Sequence, residues 1–191
     1  MSATLCALMV DLPDEPAEIA RSLRSRDYDA LDVLIERHRH RLLRYLLHLT
    51  GEGALAEDLF QETWVRVFER GGQYDGRSPF VPWLLSVARH LAIDHLRRRT
   101  SLSFESLGRR VPLTDAQPSP FEHVVAAEGS ARLTELMAQL PAIHRELLLL
   151  RFQEDLTLSQ IATLTGVPLP TVKSRLYRAL ESARRIWGET T

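Results

Sequence analysis

The stretch from Leu158 to Leu176 constrains this chain more than any other. It is preceded by Thr157 and contains Ser159, either of which can accept a hydrogen bond from the unpaired N–H groups that open a helix. Ala162 is small where a second helix must come close, and Gly166 can take the left-handed conformation that ends a first helix. Pro168 and Pro170 suit a turn and a first helical turn, but not a helix interior. Beyond them Val172, Leu176 and Leu180 recur one turn apart, while Thr171, Lys173, Ser174, Arg175 and Arg178 fall on the opposite face. The spacing predicts a helix-turn-helix between Leu156 and Ile186. Its second helix is built to enter the major groove of duplex DNA while flanking cations hold phosphates. An amphipathic surface helix with a solvated basic face is the plainer alternative. It leaves unexplained why the small residue, the glycine, the turn and the basic face coincide.

The rest of the chain also reads as helical, with no convincing strand alternation. From Asp27 to Leu49 one stripe carries Leu31, Leu34, Ile35, Leu42, Leu46 and Leu49, and Thr50-Gly51-Glu52-Gly53 stops it. Ala54 to Arg70 repeats the pattern through Leu55, Leu59, Trp64, Val67 and Phe68. Gly71, Gly72, Gly76 and Pro79 then mark a loop, and a third long helix from about Pro79 to Arg99 is expected to bury Trp83, Leu84, Val87 and Leu91. Thr100 to Glu128 holds Gly108, Pro112, Pro118 and Pro120 without periodicity and reads as a linker. Periodicity resumes with Leu133, Leu136, Met137 and Leu140, and Pro141 fits the first turn of a following helix. The expected architecture is all-α, two small helical domains on a flexible linker. Residues 1–25 form an N-terminal extension, 26–99 the first domain, 100–129 the linker and 130–188 the helix-turn-helix domain.

Composition excludes several classes. Cys6 is the only cysteine, so neither a disulfide framework nor a cysteine zinc site is available. No apolar run approaches the roughly 18–20 residues that span a bilayer, and the apolar start at Met1 to Val10 lacks the basic flank of a signal peptide. A cytoplasmic protein with no membrane insertion is expected. The net charge of −1 hides its distribution: Lys173 is the only lysine, and arginine supplies the remaining positive charge. Arginine's planar fork suits phosphates and base edges, though a GC-rich genome also enriches it.

Histidine invites a metal-dependent hydrolase reading, through His38, His40, His90, Asp94 and His95. His38 lies on the apolar stripe between Leu34 and Leu42 and reads as a packed side chain. His90 and His95 are separated by about 140° around a helix axis, so they do not share a face. No His-Glu-x-x-His, glycine-rich phosphate loop or nucleophile elbow occurs. Neither catalysis nor a cofactor is expected.

A helix-turn-helix alone would fit many regulators; the first domain narrows the choice. Ala54-Leu55-Ala56-Glu57-Asp58-Leu59-Phe60-Gln61-Glu62-Thr63-Trp64-Val65-Arg66-Val67 resembles the region-two helix with which sigma factors dock on the clamp of RNA polymerase. Pro82 to Arg99 resembles the following helix of that region, and Leu140-Pro141, Arg145-Glu146 and Thr171 to Ala179 resemble region four. With four motifs in order over roughly Asp27 to Ile186, the chain resembles the extracytoplasmic-function group of sigma factors, which have regions two and four and no large domain between. The resemblance implies that Glu57, Asp58, Gln61, Glu62 and Arg66 meet core RNA polymerase. It implies that the loop Gly71 to Ser78, through Gln73, Tyr74 and Arg77, meets the minus-ten element of promoter DNA, with Arg89, Arg97, Arg98 and Arg99 along the adjoining helix. Thr171, Lys173, Ser174, Arg175 and Arg178 would meet the minus-thirty-five element, and an anti-sigma factor is an implied partner. Trp83, on the apolar stripe, reads as packing. Pro170 departs from the family, whose members usually carry glycine there. The competing reading is a helix-turn-helix regulator that binds operators without joining polymerase, for which the Glu57 to Arg66 helix has no use.

Overall fold

The structure, a computed structural model, describes residues 16–100 and 137–189. Cys6, the linker and the periodic residues Leu133 and Leu136 lie outside the described residues. All the described elements are helical: α1 (Pro16–Ser25), α2 (Tyr28–Thr50), α3 (Gly53–Arg70), α4 (Phe80–Thr100), α5 (Ala142–Leu148), α6 (Leu158–Thr165) and α7 (Leu169–Glu189). A 3₁₀ turn at Gly71–Gln73 and a π-helical turn at Leu149–Gln153 complete them.

Local chemistry sets the helix ends. The Asp27 carboxylate accepts a hydrogen bond from the Ala30 N–H at 3.1 Å and caps α2. At the other end Gly51 turns left-handed, with φ of 70°, and its N–H donates to the Leu47 carbonyl at 2.8 Å. Helices α2, α3 and α4 pack around Leu34, Leu42, Leu46, Leu59, Val67, Leu84 and Leu85, each nearly or fully removed from water. Each such leucine contributes about 1.5–3 kcal/mol over its exposed state. His38 is buried beside the Phe80 ring, a packed histidine as its place on the stripe suggests.

Two expectations need correction. The inward face of α4 is rotated from the predicted one: Leu84, Leu85, Ala88, Ala92 and Leu96 are buried, whereas Trp83, Val87 and Leu91 are only half-buried. The small residues Ala88 and Ala92 carry little weight in a hydrophobic pattern, yet they let helices approach closely. Residues 16–25 are not a mere extension either. Helix α1 inserts Ile19, Ala20 and Leu23 into the core and lies behind the loop that follows α3. A Cβ on Gly76 (φ 73°) would sit 2.8 Å from the Pro16 carbonyl oxygen and 2.9 Å from Ala17 Cα. A Cβ on Gly71 would meet Leu23 Cβ at 2.8 Å. The two glycines let α1 brace the loop.

The two halves do not stand apart. Leu147, Leu150, Leu156, Ile161, Leu164 and Val172 belong to the same apolar cluster as the α1–α4 core, and α4 packs on α6 while α2 packs on α5. A smaller cluster of Leu140, Leu148 and Ala179 ties α5 to α7.

Two predictions follow from this packing. Gly76→Ala should lower unfolding free energy by more than about 1–2 kcal/mol, the cost of a left-handed alanine alone, measurable by urea denaturation; a loss no larger than that would mean α1 does not press on this loop. His38 and His48 are both held down to about 4, first by burial and then by Arg41 and Arg37 for His38, Arg145 and Arg44 for His48. The unfolded chain takes up these protons near pH 6.5, so their contribution is complete above that pH and is lost as pH falls towards 4. Each imidazole should contribute up to about 1.4 kcal/mol per pH unit in that window. His48→Gln should flatten the denaturation midpoint measured between pH 7 and 5.

Candidate DNA and protein interfaces

The helix-turn-helix is built as its residue types require. Thr157 accepts from the Gln160 N–H at 3.2 Å, and the Gln160 side chain accepts from the Thr157 N–H at 2.8 Å, a reciprocal capping box that closes the start of α6. Gly166 is left-handed with φ of 69° and its N–H donates to the Ala162 carbonyl. The Pro168 carbonyl then accepts from Thr171 and Val172, so Pro170 occupies the first turn of α7, where no helical N–H is needed. Val172 and Ala179 are fully buried and Leu176 and Leu180 half-buried. Lys173, Ser174 and Arg178 are exposed on the outer face, with Thr171 and Arg175 half-buried at its margins. His144 of α5 lies close enough for Arg178 and Arg175 to lower its pKa, after burial. With Arg178, Glu181, Ser182 and Arg185 it lines an open groove of about 430 Å³. The outward surface of α7 is thus a cationic ridge.

The loop after α3 presents Gln73 and Arg77 to solvent, and the Arg77 N–H donates to the Asp75 carboxylate at 2.9 Å. Tyr74 does something else. Only 2% exposed, it packs its ring 5.4 Å from Phe80 and 5.1 Å from Trp83, and its hydroxyl donates to the Ser78 carbonyl. It is no open platform for a base in this state; it holds the loop in shape, and burial raises its hydroxyl pKa to about 12. Trp83 joins the same aromatic cluster, the packing role its position suggests. Arg97 and Arg98 are exposed towards the end of α4, and the side chain of Arg99 lies outside what is described.

On α3, Glu57, Asp58, Gln61 and Glu62 are all exposed, and Arg66 reaches back to within 3.5 Å of Glu62 one turn earlier. Val65, on the same face, is 57% exposed, an apolar side chain amid acids that periodicity alone does not single out. Such an arrangement suits a basic partner surface with an apolar contact near its centre.

Arg89 is paired within the fold rather than turned to solvent. Its Nε donates to Glu146 Oε1 at 2.6 Å and its Nη2 to Oε2 at 3.4 Å, while Nη1 reaches the Thr165 carbonyl at 3.5 Å. The Tyr45 hydroxyl donates to the same Oε1 at 2.9 Å. Burial pulls the Arg89 pKa down but the Glu146 carboxylate outweighs it, and the net shift is upward. Nearby, Glu154 lies 2.8 Å from Arg41 Nε and 3.5 Å from Arg44 Nη2. Burial raises the Glu154 pKa against the pull of those two arginines. Nothing in the sequence pairs these residues, because each pair joins one half to the other. Among the described residues, no three histidine, cysteine or carboxylate side chains gather where they could hold a metal ion, and no helix is long and apolar enough to cross a membrane.

Two family models match the chain, sigma-70 region 2 over residues 34–102 and sigma-70 region 4 over residues 130–182. The ECF RNA polymerase sigma factor SigL of Mycobacterium tuberculosis is 34% identical over 153 residues, which cover 80% of this chain and 85% of that protein. A Xanthomonas campestris protein named "Probable RNA polymerase sigma factor RfaY" is 36% identical over 141 residues, 72% of this chain; the chain spans only 35% of that relative's length. In structure, CnrH in complex with the cytosolic domain of CnrY is similar with a TM-score of 0.67, over 92% of this chain and 99% of that one, at 17% identity, a likeness of fold. By its two matched regions and its kinship with SigL, the chain belongs to the extracytoplasmic-function group of RNA polymerase sigma factors.

Proposed function

We propose that this sigma factor acts in the cytoplasm, joins core RNA polymerase through the exposed face of α3 and directs initiation at promoters by reading two DNA elements. The observation that carries this reading is the pairing in one chain of an acidic, partly apolar helix face with a cationic helix-turn-helix ridge. The first is a poor surface for DNA and a good one for a basic protein partner; the second is the reverse. Glu57, Asp58, Gln61, Glu62 and Arg66 are assigned to core polymerase, and Val65 is added as their apolar contact. Lys173 and Arg175 are assigned to base edges of the minus-thirty-five element, with Thr171, Ser174 and Arg178 supporting them on bases and phosphates.

Gln73, Arg77, Arg97, Arg98 and Arg99 are assigned to the minus-ten element. Tyr74 and Arg89 would join them only after local rearrangement, since one is buried and the other is paired. None of these roles asks for a catalytic group or a cofactor. The domains that carry them are residues 26–99 and 130–188, with 100–129 as the link. An anti-sigma factor is the regulatory partner this reading calls for.

Adding the purified chain to core polymerase should yield promoter-specific transcripts in vitro and co-migration with core. If it does neither yet still binds duplex DNA, the chain is an operator-binding regulator instead. Lys173→Ala and Arg175→Ala should each cost about 1–3 kcal/mol in binding a minus-thirty-five duplex, read by fluorescence anisotropy at fixed salt. Asp58→Lys with Glu62→Lys should abolish co-migration with core while leaving duplex affinity unchanged; loss of both would mean that the changes unfold the chain.

A further inference from the structure

Beside the recognition ridge, α5 and α7 border the groove of about 430 Å³ lined by His144, Arg178, Glu181, Ser182 and Arg185. Its chemistry is that of an anion site, since two guanidinium groups, a hydroxyl and an imidazole outweigh a single carboxylate. His144 is the member whose bonding is incomplete. Its Nδ1 is shut off from water and has no hydrogen-bond partner among the described residues. Burial lowers its pKa, and Arg178 and Arg175 lower it further, so the ring stands neutral at neutral pH among cations that an anion would offset. The charged groups around it on α7 are Arg175, Arg178, Glu181 and Arg185. Arg145 and Glu146 follow it in α5, and α2, which also packs on α5, holds His48 within reach of Arg44 and Arg145.

The groove also lies in line with the residues assigned to DNA. Thr171, Arg175, Arg178, Ser182 and Arg185 recur every three or four residues and so share one side of α7. From Thr171 to Arg185 that line runs about 21 Å along the helix axis. The major groove of B-DNA is only about 12 Å wide. A helix that sets Thr171 and Lys173 against base edges therefore carries its later residues past the groove wall, where the sugar–phosphate strand runs. This placement rests on the DNA-reading role proposed above for α7.

We propose that this groove is a phosphate site for the DNA backbone, outside the bases that α7 reads: Arg178 and Arg185 hold a phosphate of the flanking strand, and His144 joins them by taking up a proton as that phosphate seats. The proton comes from solvent. A backbone phosphodiester keeps its single negative charge throughout, so the titrating partner is the imidazole. Glu181 opposes the phosphate and keeps the contact weak until His144 is protonated. Duplex binding is thereby tied to pH through a side chain outside the base-reading set.

The test measures the affinity of the full-length chain for the minus-thirty-five duplex and for a scrambled duplex of equal length, by fluorescence anisotropy at fixed salt. Parent-chain affinity should rise as pH falls from about 8 to about 6, by up to about tenfold per unit, the limit for one linked proton. His144→Gln should match the parent chain at the upper end and lose the gain below it; a profile that still parallels the parent's overturns the proposal. Arg185 and Glu181 are exposed, so changing them spares the core. Arg185→Ala should weaken both duplexes alike and reduce the salt slope by about 1; unchanged affinity, or a loss confined to the cognate sequence, overturns the proposal. Glu181→Gln should tighten both duplexes, and equal affinity counts against the site. Inorganic tripolyphosphate separates the sources of phosphate. If it binds through Arg185 while both duplexes ignore Arg185→Ala, the groove holds a free phosphate and the proposal is wrong. A chain that joins core polymerase yet binds duplex equally well as Arg185→Ala and His144→Gln keeps the sigma reading and loses this one. A chain that shows the duplex effects without joining core does the reverse.

Discussion

Glu146 is the point on which the two halves of this molecule converge. A carboxylate almost wholly removed from water needs its lone pairs satisfied and its charge matched, and here one guanidinium and one phenol do both. The donors sit on α4 and α2, the acceptor on α5, so a single side chain fixes three helices from distant parts of the sequence. Around it an apolar cluster runs without interruption from α1 to α7. Apolar contact is non-directional and would tolerate several dockings. The ion pairs choose among them.

Against that fixed junction the outward surfaces keep distinct characters. The α3 face is acidic with one exposed valine, the α7 ridge is cationic, and the loop between α3 and α4 is held in shape from within by Tyr74 and from behind by α1. Function in such a protein lies in the arrangement of surfaces rather than in a cleft. The rigidity of each surface comes from short-range devices: the Thr157–Gln160 capping box, the left-handed Gly166, and the aromatic packing of Tyr74 with Phe80 and Trp83.

Much of this was legible from residue order. The turn at Gly51, the cap at Thr157, the left-handed Gly166 and the stripe of Val172, Leu176 and Leu180 are local features, decided within a few residues of one another. Patterns of that range survive in sequence because helix geometry repeats every 3.6 residues. The acidic face of α3 and the basic face of α7 were legible for the same reason. What misled was burial by contact with distant parts of the chain. Ala88 and Ala92 look neutral in a pattern but are fully buried, and Tyr74, which resemblance places towards DNA, packs inward and closes its own loop. Helix α1 is short and far from the motif-bearing segments, so its role behind Gly71 and Gly76 shows only when the backbones are brought together.

By itself the sequence determined that the fold class is all-α, that its second half holds a helix-turn-helix, and that one helix face is acidic while another is cationic. These are properties of periodicity, capping and side-chain type, and they need no knowledge of what lies across the fold. Only the tertiary structure decided that the two halves share a core, that Arg89 faces Glu146 rather than solvent, and that Tyr45, Arg41 and Arg44 complete the junction. The reason is physical. Arg89 and Glu146 are 57 residues apart and Tyr45 and Glu146 are 101 apart, and a charge can be recognised as buried only once the surface that covers it is in place.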